Sequence, residues 1–264
     1  MPRYLGQHFL INKSAIQKIV DALDLQKGET VIEIGPGEGA LTLPLSEKCA
    51  AIGCKIVAIE KDPELVESSK YKVVSNVQLI SGDALKVLPR IFPDYLLPTT
   101  NYKVVGNIPY YITGKLLRVL GELDRKPELI VLTIQKEVAE RAVAQPPRMN
   151  LLAAATQIWS KPSIIGRLKP KDFEPPPKVD SAIIKIIPNL RRCERLRLDE
   201  YYRAIKVIFK QPRKTLLNNL STGLNKAKTD ILEVLKKMGL SETVRPQNLD
   251  LEALQNLSQK LFTF

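Results

Sequence analysis

The tetrapeptide Asn107-Ile108-Pro109-Tyr110 combines an amide, a proline and an aromatic ring, groups that could together hold a flat, polar molecule. It follows the apolar, β-branched run 103–106, and an apolar segment resumes at about Ile112. Asparagine and proline also punctuate ordinary turns for backbone reasons. Taken alone, the motif therefore favours a turn, and a binding site needs support from the rest of the chain.

A glycine-rich loop, residues 33–39 (EIGPGEG), follows the first predicted strand. Such a loop could bind a dinucleotide, another nucleoside cofactor or nothing. Gly35, Gly37 and Gly39 are spaced G-x-G-x-G, whereas dinucleotide-binding loops show G-x-G-x-x-G. Pro36 also removes an N–H that a pyrophosphate would use. We therefore expect a cofactor without phosphates, with a carboxylate near the loop.

Two acids, Glu60 and Asp83, come where the second and third predicted strands end. Glu60 is placed to bridge two ribose hydroxyls, although acids near strand ends are often merely solvated. Asp83 could accept a hydrogen bond from an adenine amino group or cap the next helix. The glycine loop and both acids converge on the crevice where open α/β sheets bind ligands. This arrangement suits S-adenosylmethionine.

These residues need a mostly parallel sheet to bring them together, and the apolar pattern predicts one. Short apolar runs alternate with helical segments, which is typical of an α/β fold whose sheet is covered on both faces. The strands are predicted at 30–34, 55–60, 77–81, 102–106 and 129–134. The helices are predicted at 14–25, 40–48, 63–70, 113–122 and 136–144.

The pattern changes in the last third of the chain. Residues 164–168 and 181–187 read as two strands without an intervening helix, so we expect a hairpin-like end to the sheet. After Asn189 only helices are predicted, at about 199–210, 213–222, 227–238 and 250–261. We therefore divide the chain into an α/β domain, residues 1–188, and a small helical domain, residues 189–264.

Composition narrows the class of protein. The chain has 264 residues and a formal charge of +12, which favours a polyanionic partner, although charge alone does not exclude a merely basic protein. No run of about 18 apolar residues is present and the N-terminus lacks the apolar core of a signal peptide, so we expect a cytoplasmic protein without a membrane span. Cys49, Cys54 and Cys193 fit no common zinc pattern, which predicts reduced cysteines and no metal site.

Seven motifs, spread over nearly the whole chain, occur in the same order as in a known family. They are residues 6–10 (GQHFL), 33–37 (EIGPG), Glu60, 82–85 (GDAL), 107–110 (NIPY), 173–181 (FEPPPKVDS) and 209–220 (FKQPRKTLLNNL). Each motif is weak alone, but all seven in order are highly specific. On these residues the chain resembles the ribosomal RNA adenine dimethyltransferases, specifically those that dimethylate two adjacent adenosines near the end of the small-subunit RNA.

The resemblance implies a Rossmann-like class I methyltransferase domain in residues 1–188 and an RNA- and ribosome-binding helical domain in residues 189–264. It also implies which residues surround S-adenosylmethionine: Gln7, His8, Leu10, Gly35, Gly37, Glu60, Asp83 and Asn107. Relatives often have asparagine where this chain has His8, so we expect a neutral hydrogen-bonding residue there and no proton transfer.

The resemblance also gives the NIPY motif a role in catalysis. The Asn107 side-chain oxygen and a backbone carbonyl near Ile108 would hold the two N–H bonds of an adenine amino group, while Pro109 stiffens the loop. Tyr110 would stack on the adenine, and Phe173 would lie on its other face. The reaction would be a direct in-line displacement that depends on positioning and needs no strong general base.

The basic C-terminal third fits an RNA partner, although such a charge run can also be a solvated helix face. The family resemblance implies contacts from Arg191, Arg192, Arg213 and Lys214, with small-subunit RNA inside a pre-ribosomal particle as the partner of a monomer. Pro212 and Met149-Asn150 depart from the family pattern. These departures put details of the RNA contacts in doubt and leave the methyl-transfer chemistry unaffected.

Four other hypotheses remain. The large-subunit RNA adenine methyltransferases of macrolide resistance share the cofactor pocket and the NIPY motif, but they usually carry lysine at the position of Glu38. DNA amino-methyltransferases usually show Asp-Pro-Pro-Tyr and act on flipped-out bases. A non-catalytic ribosome assembly factor would not need the cofactor residues that are intact here. A dehydrogenase is the weakest alternative.

Overall fold

The computed structural model describes residues 7–69, 74–92, 101–189 and 197–261, and the chain forms two compact units. The first unit comprises Met1–Ala139 and Pro162–Pro188, and the second comprises Glu140–Lys161 and Asn189–Phe264. The predicted fold class, a mostly parallel α/β sheet followed by helices, is confirmed.

The strands and helices fall close to their predicted positions. The strands are β1 (Phe9–Leu10), β2 (Thr30–Ile34), β3 (Lys55–Glu60), β4 (Val77–Ser81), β5 (Tyr102–Asn107), β6 (Leu129–Gln135), β7 (Ser160–Leu168), β8 (Phe173–Glu174) and β9 (Ser181–Pro188). The helices are α1 (Lys13–Ala22), α2 (Thr42–Ile52), α3 (Pro63–Ser68), α4 (Ala84–Val87), α5 (Thr113–Glu122), α6 (Lys136–Ala142), α7 (Leu151–Gln157), α8 (Leu198–Ile208), α9 (Leu216–Leu224), α10 (Lys228–Lys237) and α11 (Leu251–Leu261). The short elements β1, β8 and α7 were not predicted.

Seven strands form one sheet in the order β4-β3-β2-β5-β6-β9-β7. The first five strands in this order are parallel, and β9 is antiparallel to β6. Every residue of β2 is buried, as expected for a central parallel strand whose two faces are both covered. Because β7 and β9 are neighbours, the hairpin-like end of the sheet is confirmed.

A second sheet consists of two strands, β1 and β8, which are far apart in the sequence. Phe9 lies opposite Glu174 and Leu10 lies opposite Phe173 in antiparallel register. Asp172 reinforces this pairing, because its carbonyl accepts from the Ile11 N–H at 2.9 Å and its carboxylate accepts from Asn12 Nδ2 at 2.8 Å. The segment that carries Gln7 and His8 is therefore fixed to the loop before β9.

The core of the first unit packs α1 and α2 against the sheet, with Ile19, Leu45 and Val131 among its fully buried residues. Cys49 and Cys54 lie in this core and form a disulfide between the end of α2 and the start of β3. The expectation of reduced cysteines is therefore wrong for this pair, because the turn at Gly53 brings the two residues together. Cys193 lies outside the described residues.

The second unit includes a segment that the sequence placed in the first domain. Residues 140–161 group with the C-terminal helices instead of with residues 1–139. Hydrogen bonds hold this segment, among them the one that the Tyr201 hydroxyl donates to the Ala154 carbonyl at 3.2 Å and the one that the Met149 N–H donates to the Gln247 carbonyl at 3.2 Å. Asn150 caps α7 by accepting from the backbone N–H groups of Leu152 and Ala153.

Within the described part of the chain, no helix combines the length and the apolar character needed to cross a membrane. The same residues contain no group of three or more histidine, cysteine, aspartate or glutamate side chains that could hold a metal ion.

Candidate active site

A crevice of about 840 Å³, including its opening to solvent, lies at the carboxyl ends of β2, β3, β4 and β5. These ends share one edge of the sheet because the four strands are parallel. Its lining residues are Gln7, His8, Phe9, Ile34, Gly35, Gly37, Ile59, Glu60, Lys61, Gly82, Asp83, Ala84, Asn107, Ile108, Pro109, Tyr110, Tyr111 and Ile112. Most of the residues predicted to form the site are thus brought together.

The N–H groups of the glycine loop are already bonded, two of them to the end of β3 and one within the loop. The N–H groups of Gly35, Gly37 and Gly39 donate to the Ile59 carbonyl, the Glu60 carboxylate and the Pro36 carbonyl, at 3.0, 3.1 and 2.9 Å. These internal bonds remove the donors that a pyrophosphate would need. At Gly35, with φ at +66°, an added β-carbon would meet no atom within 4 Å, so the missing side chain keeps the crevice open.

Glu60 is buried and held by three backbone donors. Its Oε1 accepts from the N–H groups of Lys61 and Asp62 at 2.8 and 2.9 Å, and its Oε2 accepts from Gly37 at 3.1 Å. Each carboxylate oxygen has two lone pairs, so Oε2 keeps one acceptor position for a ligand hydroxyl. The carboxylate therefore faces the crevice in a single fixed orientation.

Asp83 takes one of the two roles that the sequence left open, that of a helix cap, and it also pairs with a lysine. Its Oδ1 caps α4 by accepting from the Leu85 N–H at 3.0 Å, and its Oδ2 accepts from Lys61 Nζ at 3.0 Å. Burial alone would raise the pKa of Asp83, but the hydrogen bonds from Lys61 and Leu85 outweigh it and lower the pKa. Lys61 lines the same crevice and was not among the predicted site residues.

A third carboxyl group lies beneath the loop. Glu33, in the middle of the buried strand β2, is 1% exposed. Burial raises the pKa of Glu33 to about 8; the Thr42 hydroxyl opposes this rise and the charge of Glu60 adds to it. Glu33 is therefore neutral up to a pH of about 8 and does not line the crevice.

Asn107 ends β5 and faces the N-terminal segment. Its Nδ2 donates to the His8 carbonyl at 2.6 Å. A carbonyl oxygen can only accept, so this contact fixes which side of the amide carries the nitrogen and leaves Oδ1 as the acceptor that Asn107 offers. The backbone on both sides of the Ile108 carbonyl is also fixed, because the Ile108 N–H donates to Thr133 O at 3.1 Å and the Ile112 N–H donates to Pro109 O at 3.2 Å.

Tyr110 presents a half-buried ring to the same crevice. Its hydroxyl lies 2.7 Å from Ser181 Oγ, and burial raises its pKa while the Ser181 contact opposes the rise. The ring that faces it is that of His8, with centroids 5.8 Å apart and planes inclined by 30°. His8 is itself oriented, because Nδ1 lies 2.8 Å from the Pro175 carbonyl and so donates its proton to that oxygen.

The comparisons with known proteins agree with this geometry. The model of the family described as "Ribosomal RNA adenine dimethylase" matches residues 2–256. The chain belongs to the ribosomal RNA adenine dimethylase family.

Proteins named ribosomal RNA small subunit methyltransferase A are similar over almost the whole chain. The one from Dehalococcoides mccartyi is 38% identical over 251 residues, which is 94% of this chain and 84% of that protein. The one from Moorella thermoacetica is 35% identical over 269 residues, 97% of this chain and 91% of that protein.

Solved structures show the same architecture. A dimethyladenosine transferase from Plasmodium falciparum superposes with a TM-score of 0.77 at 27% identity, covering 97% of this chain and 96% of that one. The 23S rRNA methyltransferase ErmE superposes with a TM-score of 0.71 at 24% identity, covering 96% of this chain and 99% of that one. The second likeness concerns the fold alone.

A chain of the dimethylase family uses S-adenosylmethionine as its cofactor, and the crevice fits this compound. S-adenosylmethionine carries no phosphate, which agrees with a glycine loop whose N–H groups bond internally. The Glu60 and Asp83 carboxylates each keep an oriented acceptor position at the crevice for polar groups of such a compound. When bound, the cofactor supplies an electrophilic methyl group.

Two residues that the family resemblance placed at the site, Leu10 and Phe173, do not line the crevice. Phe173 is 3% exposed and Leu10 is 2% exposed, and both belong to the hydrophobic core instead of lining the crevice. Side chains alternate along a strand, so in the β1–β8 pair these two residues face the core while Phe9 faces the crevice. The role of Phe173 at one face of the target adenine stays a prediction.

The residues predicted to contact RNA are only partly described. Arg191 and Arg192 lie outside the described residues. Arg213 and Lys214 are exposed in the turn between α8 and α9 of the second unit, where the Lys214 N–H donates to the Gln211 carbonyl at 2.9 Å. Lys228, which the sequence did not single out, lines a polar depression together with Lys214.

Proposed function

We propose that this chain transfers methyl groups to the exocyclic amino nitrogens of two adjacent adenosines near the 3′ end of small-subunit ribosomal RNA, giving dimethyladenosine. It does so as a monomer, in the cytoplasm, on a pre-ribosomal small subunit. The orientation of the Asn107 amide, fixed by the His8 carbonyl, carries this proposal. It leaves an acceptor for an amino group at the edge of the cofactor crevice.

The residues act on the target by positioning it. The lone pair of an adenine amino nitrogen is delocalised into the ring, so the nitrogen is a poor nucleophile. Asn107 Oδ1 and the Ile108 carbonyl oxygen accept hydrogen bonds from its two N–H groups. These hydrogen bonds turn the lone pair out of conjugation with the ring. Pro109 keeps the acceptors in place, which lowers the reorganisation needed for reaction.

Tyr110 provides a face for the adenine, a contact that contributes about 1–3 kcal/mol per base. Its hydroxyl bond to Ser181 keeps the ring from turning away. After transfer the nitrogen loses its proton directly to water, so no strong general base is required. A second transfer uses the N–H that remains.

In this proposal the two units have different roles. The first unit holds the cofactor and the reacting amine, because the whole crevice lies within it. The second unit contacts RNA phosphates through exposed cations, among which are Arg213 and Lys214. Arg191 and Arg192 stay predictions from the sequence.

The substrate is tested by giving the purified protein labelled S-adenosylmethionine with unmethylated small subunits, and separately with protein-free large-subunit RNA. Digested RNA is analysed by mass spectrometry of its nucleosides. We expect dimethyladenosine from the small subunits alone. Label only in large-subunit RNA would instead indicate the reaction of the macrolide-resistance methyltransferases. If neither RNA were labelled although the protein bound the cofactor, a non-catalytic assembly factor would be the remaining hypothesis.

The role of Asn107 is tested with Asn107→Ala. We expect methyl transfer to be lost, by about two to three orders of magnitude or more, because one preorganised acceptor is removed. Binding of S-adenosylhomocysteine, measured by calorimetry, should weaken only moderately.

The matched control is Asn76→Ala, which removes an amide next to the amino end of β4, at the opposite edge of the sheet. It should keep full transfer activity. Normal methylation by Asn107→Ala would contradict the mechanism, even with the substrate assignment intact.

A further inference from the structure

Lys61 contacts both acids of the crevice. Its backbone N–H donates to Glu60 Oε1 at 2.8 Å, and its ammonium donates to Asp83 Oδ2 at 3.0 Å. Glu60 ends β3, and Asp83 lies just after β4 and before α4. One residue therefore ties together two acceptors that neighbouring strands deliver to the same ligand site.

The Asp83 carboxylate is consequently held at both of its oxygens. The Leu85 N–H bonds Oδ1 and the Lys61 ammonium bonds Oδ2. Each oxygen keeps one lone pair, so Asp83 can still accept a hydrogen bond from a ligand. If Lys61 were absent, the Leu85 contact alone would leave Oδ2 without a partner and the carboxylate free to rotate about that single bond.

We propose that Lys61 is a positioning residue that fixes the Asp83 carboxylate for the 6-amino group of the cofactor's adenine. It thereby sets how strongly the crevice prefers adenine to a purine that lacks this group. The inference rests on the proposed role of Asp83 as the adenine acceptor. It adds that a cation from the neighbouring strand holds this acceptor in its productive orientation.

The alternative is an ordinary surface ion pair. The chain contains one for comparison, since Lys48 Nζ lies 2.9 Å from Asp21 Oδ1 and neither residue lines the crevice. Lys61 is itself 52% exposed, and exposed ion pairs contribute little to stability. A positioning role therefore has to appear in ligand discrimination, where orientation matters, and not in the melting temperature.

The test compares the dissociation constants of S-adenosylhomocysteine and of its analogue with purine in place of adenine, measured by calorimetry. Their ratio reports the contribution of the 6-amino group. In Lys61→Met we expect the ratio to fall by about three- to five-fold, the upper part of the range for an exposed ion pair, with binding of the purine analogue unchanged. Lys61→Arg should restore most of the ratio, and Lys48→Met should leave it as in the wild type.

Salt gives a second readout. Raising the salt concentration screens an exposed ion pair, so the ratio should fall in the wild type and stay constant in Lys61→Met. If Lys61→Met weakened the binding of S-adenosylhomocysteine and of its purine analogue equally, the proposal would be overturned, because the effect would be one of general charge. Tighter binding of S-adenosylhomocysteine would also overturn it, because it would show that the lysine competes with adenine.

Asp83→Ala separates this proposal from the one on which it rests. If Asp83 accepts from the adenine, its removal brings the ratio close to one. If the ratio in Asp83→Ala equals that of the wild type, Asp83 does not bind the adenine amino group, and both proposals are wrong. If the ratio falls in Asp83→Ala but not in Lys61→Met, Asp83 binds the adenine amino group, and only the proposed role of Lys61 is wrong.

Discussion

An amide at position 107 is required by the N-terminal segment as much as by the reaction. A carboxylate oxygen could also accept from an adenine amino group. In this chain, however, the other half of the side chain lies 2.6 Å from the His8 carbonyl, a distance that needs a donor. An aspartate would place two acceptors in contact, so it would push away the segment that carries Gln7 and His8.

The buried carboxyl of Glu33 shows a different use of an acid. Its folded-state pKa of about 8 lies above its ordinary value of 4.5, and burial is the main cause. Between these pH values the unfolded chain releases a proton that the folded protein keeps. The contribution of Glu33 to stability therefore falls as the pH rises from about 4.5 to about 8, and the loss is complete above that window.

We predict that Glu33→Gln removes this pH dependence. As the pH rises from about 4.5 to about 8, the unfolding free energy of the wild type should fall relative to that of the variant. The fall should be up to about 1.4 kcal/mol per pH unit. Urea unfolding at pH 5, 6, 7 and 8, followed by circular dichroism, measures it. The exposed control Glu47→Gln should give a curve parallel to the wild type; a parallel curve for Glu33→Gln would show that the buried carboxyl ionises freely.

At the scale of elements, the sequence predicted most of the sheet because short apolar runs alternate regularly with helical segments. Glu60 and Asp83 could be placed near each other because parallel strands deliver their carboxyl ends to one edge. Lys61 was missed because its role depends on a side-chain contact between neighbouring strands. The burial of Phe173 could not be predicted because two-residue strands carry no periodicity, so their inward face appears only when β1 and β8 pair.

The packing of β1 on the glycine loop gives a prediction for this element. An added β-carbon at Gly37 would lie 2.7 Å from Phe9 Cε1, whereas one at Gly28 would meet no atom within 4 Å. Both glycines have positive φ, at +57° and +82°, so alanine strains the backbone at either position by about 1–2 kcal/mol. Only Gly37→Ala also displaces Phe9, and with it the residues that line the crevice.

We therefore predict that Gly37→Ala weakens binding of S-adenosylhomocysteine by roughly tenfold, equivalent to about 1.4 kcal/mol, while Gly28→Ala leaves it unchanged. Calorimetry measures the binding, and thermal melting measures the shared backbone cost. If the two variants bound the ligand equally well, the position of β1 would be irrelevant to the cofactor.

At the scale of the whole molecule, the formal charge of +12 implies binding that depends on salt. We predict that the double variant Arg213→Ala, Lys214→Ala weakens binding to small subunits. The slope of log affinity against log salt should decrease in magnitude by about 0.7–0.9 for each RNA phosphate that the variant no longer neutralises. Filter binding over a range of salt concentrations measures both effects.

The charge-matched control, Lys236→Ala with Lys237→Ala at the end of α10, removes two exposed cations from the same unit. It should change the slope much less. Identical slopes for the two double variants would mean that the second unit contributes general charge and no defined contact. Binding of S-adenosylhomocysteine should be the same in both variants, since neither pair lines the crevice.

The order of the strands has a consequence for synthesis of the chain. β6 acquires its neighbour β9 only after roughly 50 more residues, because residues 140–161 come between them and belong to the other unit. At about 5–20 residues per second, the edge of β6 stays without its partner for roughly 3–10 s. Six of the seven residues of β6 are buried in the finished protein. Each nascent chain therefore carries an apolar, aggregation-prone strand edge until the end of β9 emerges from the ribosome.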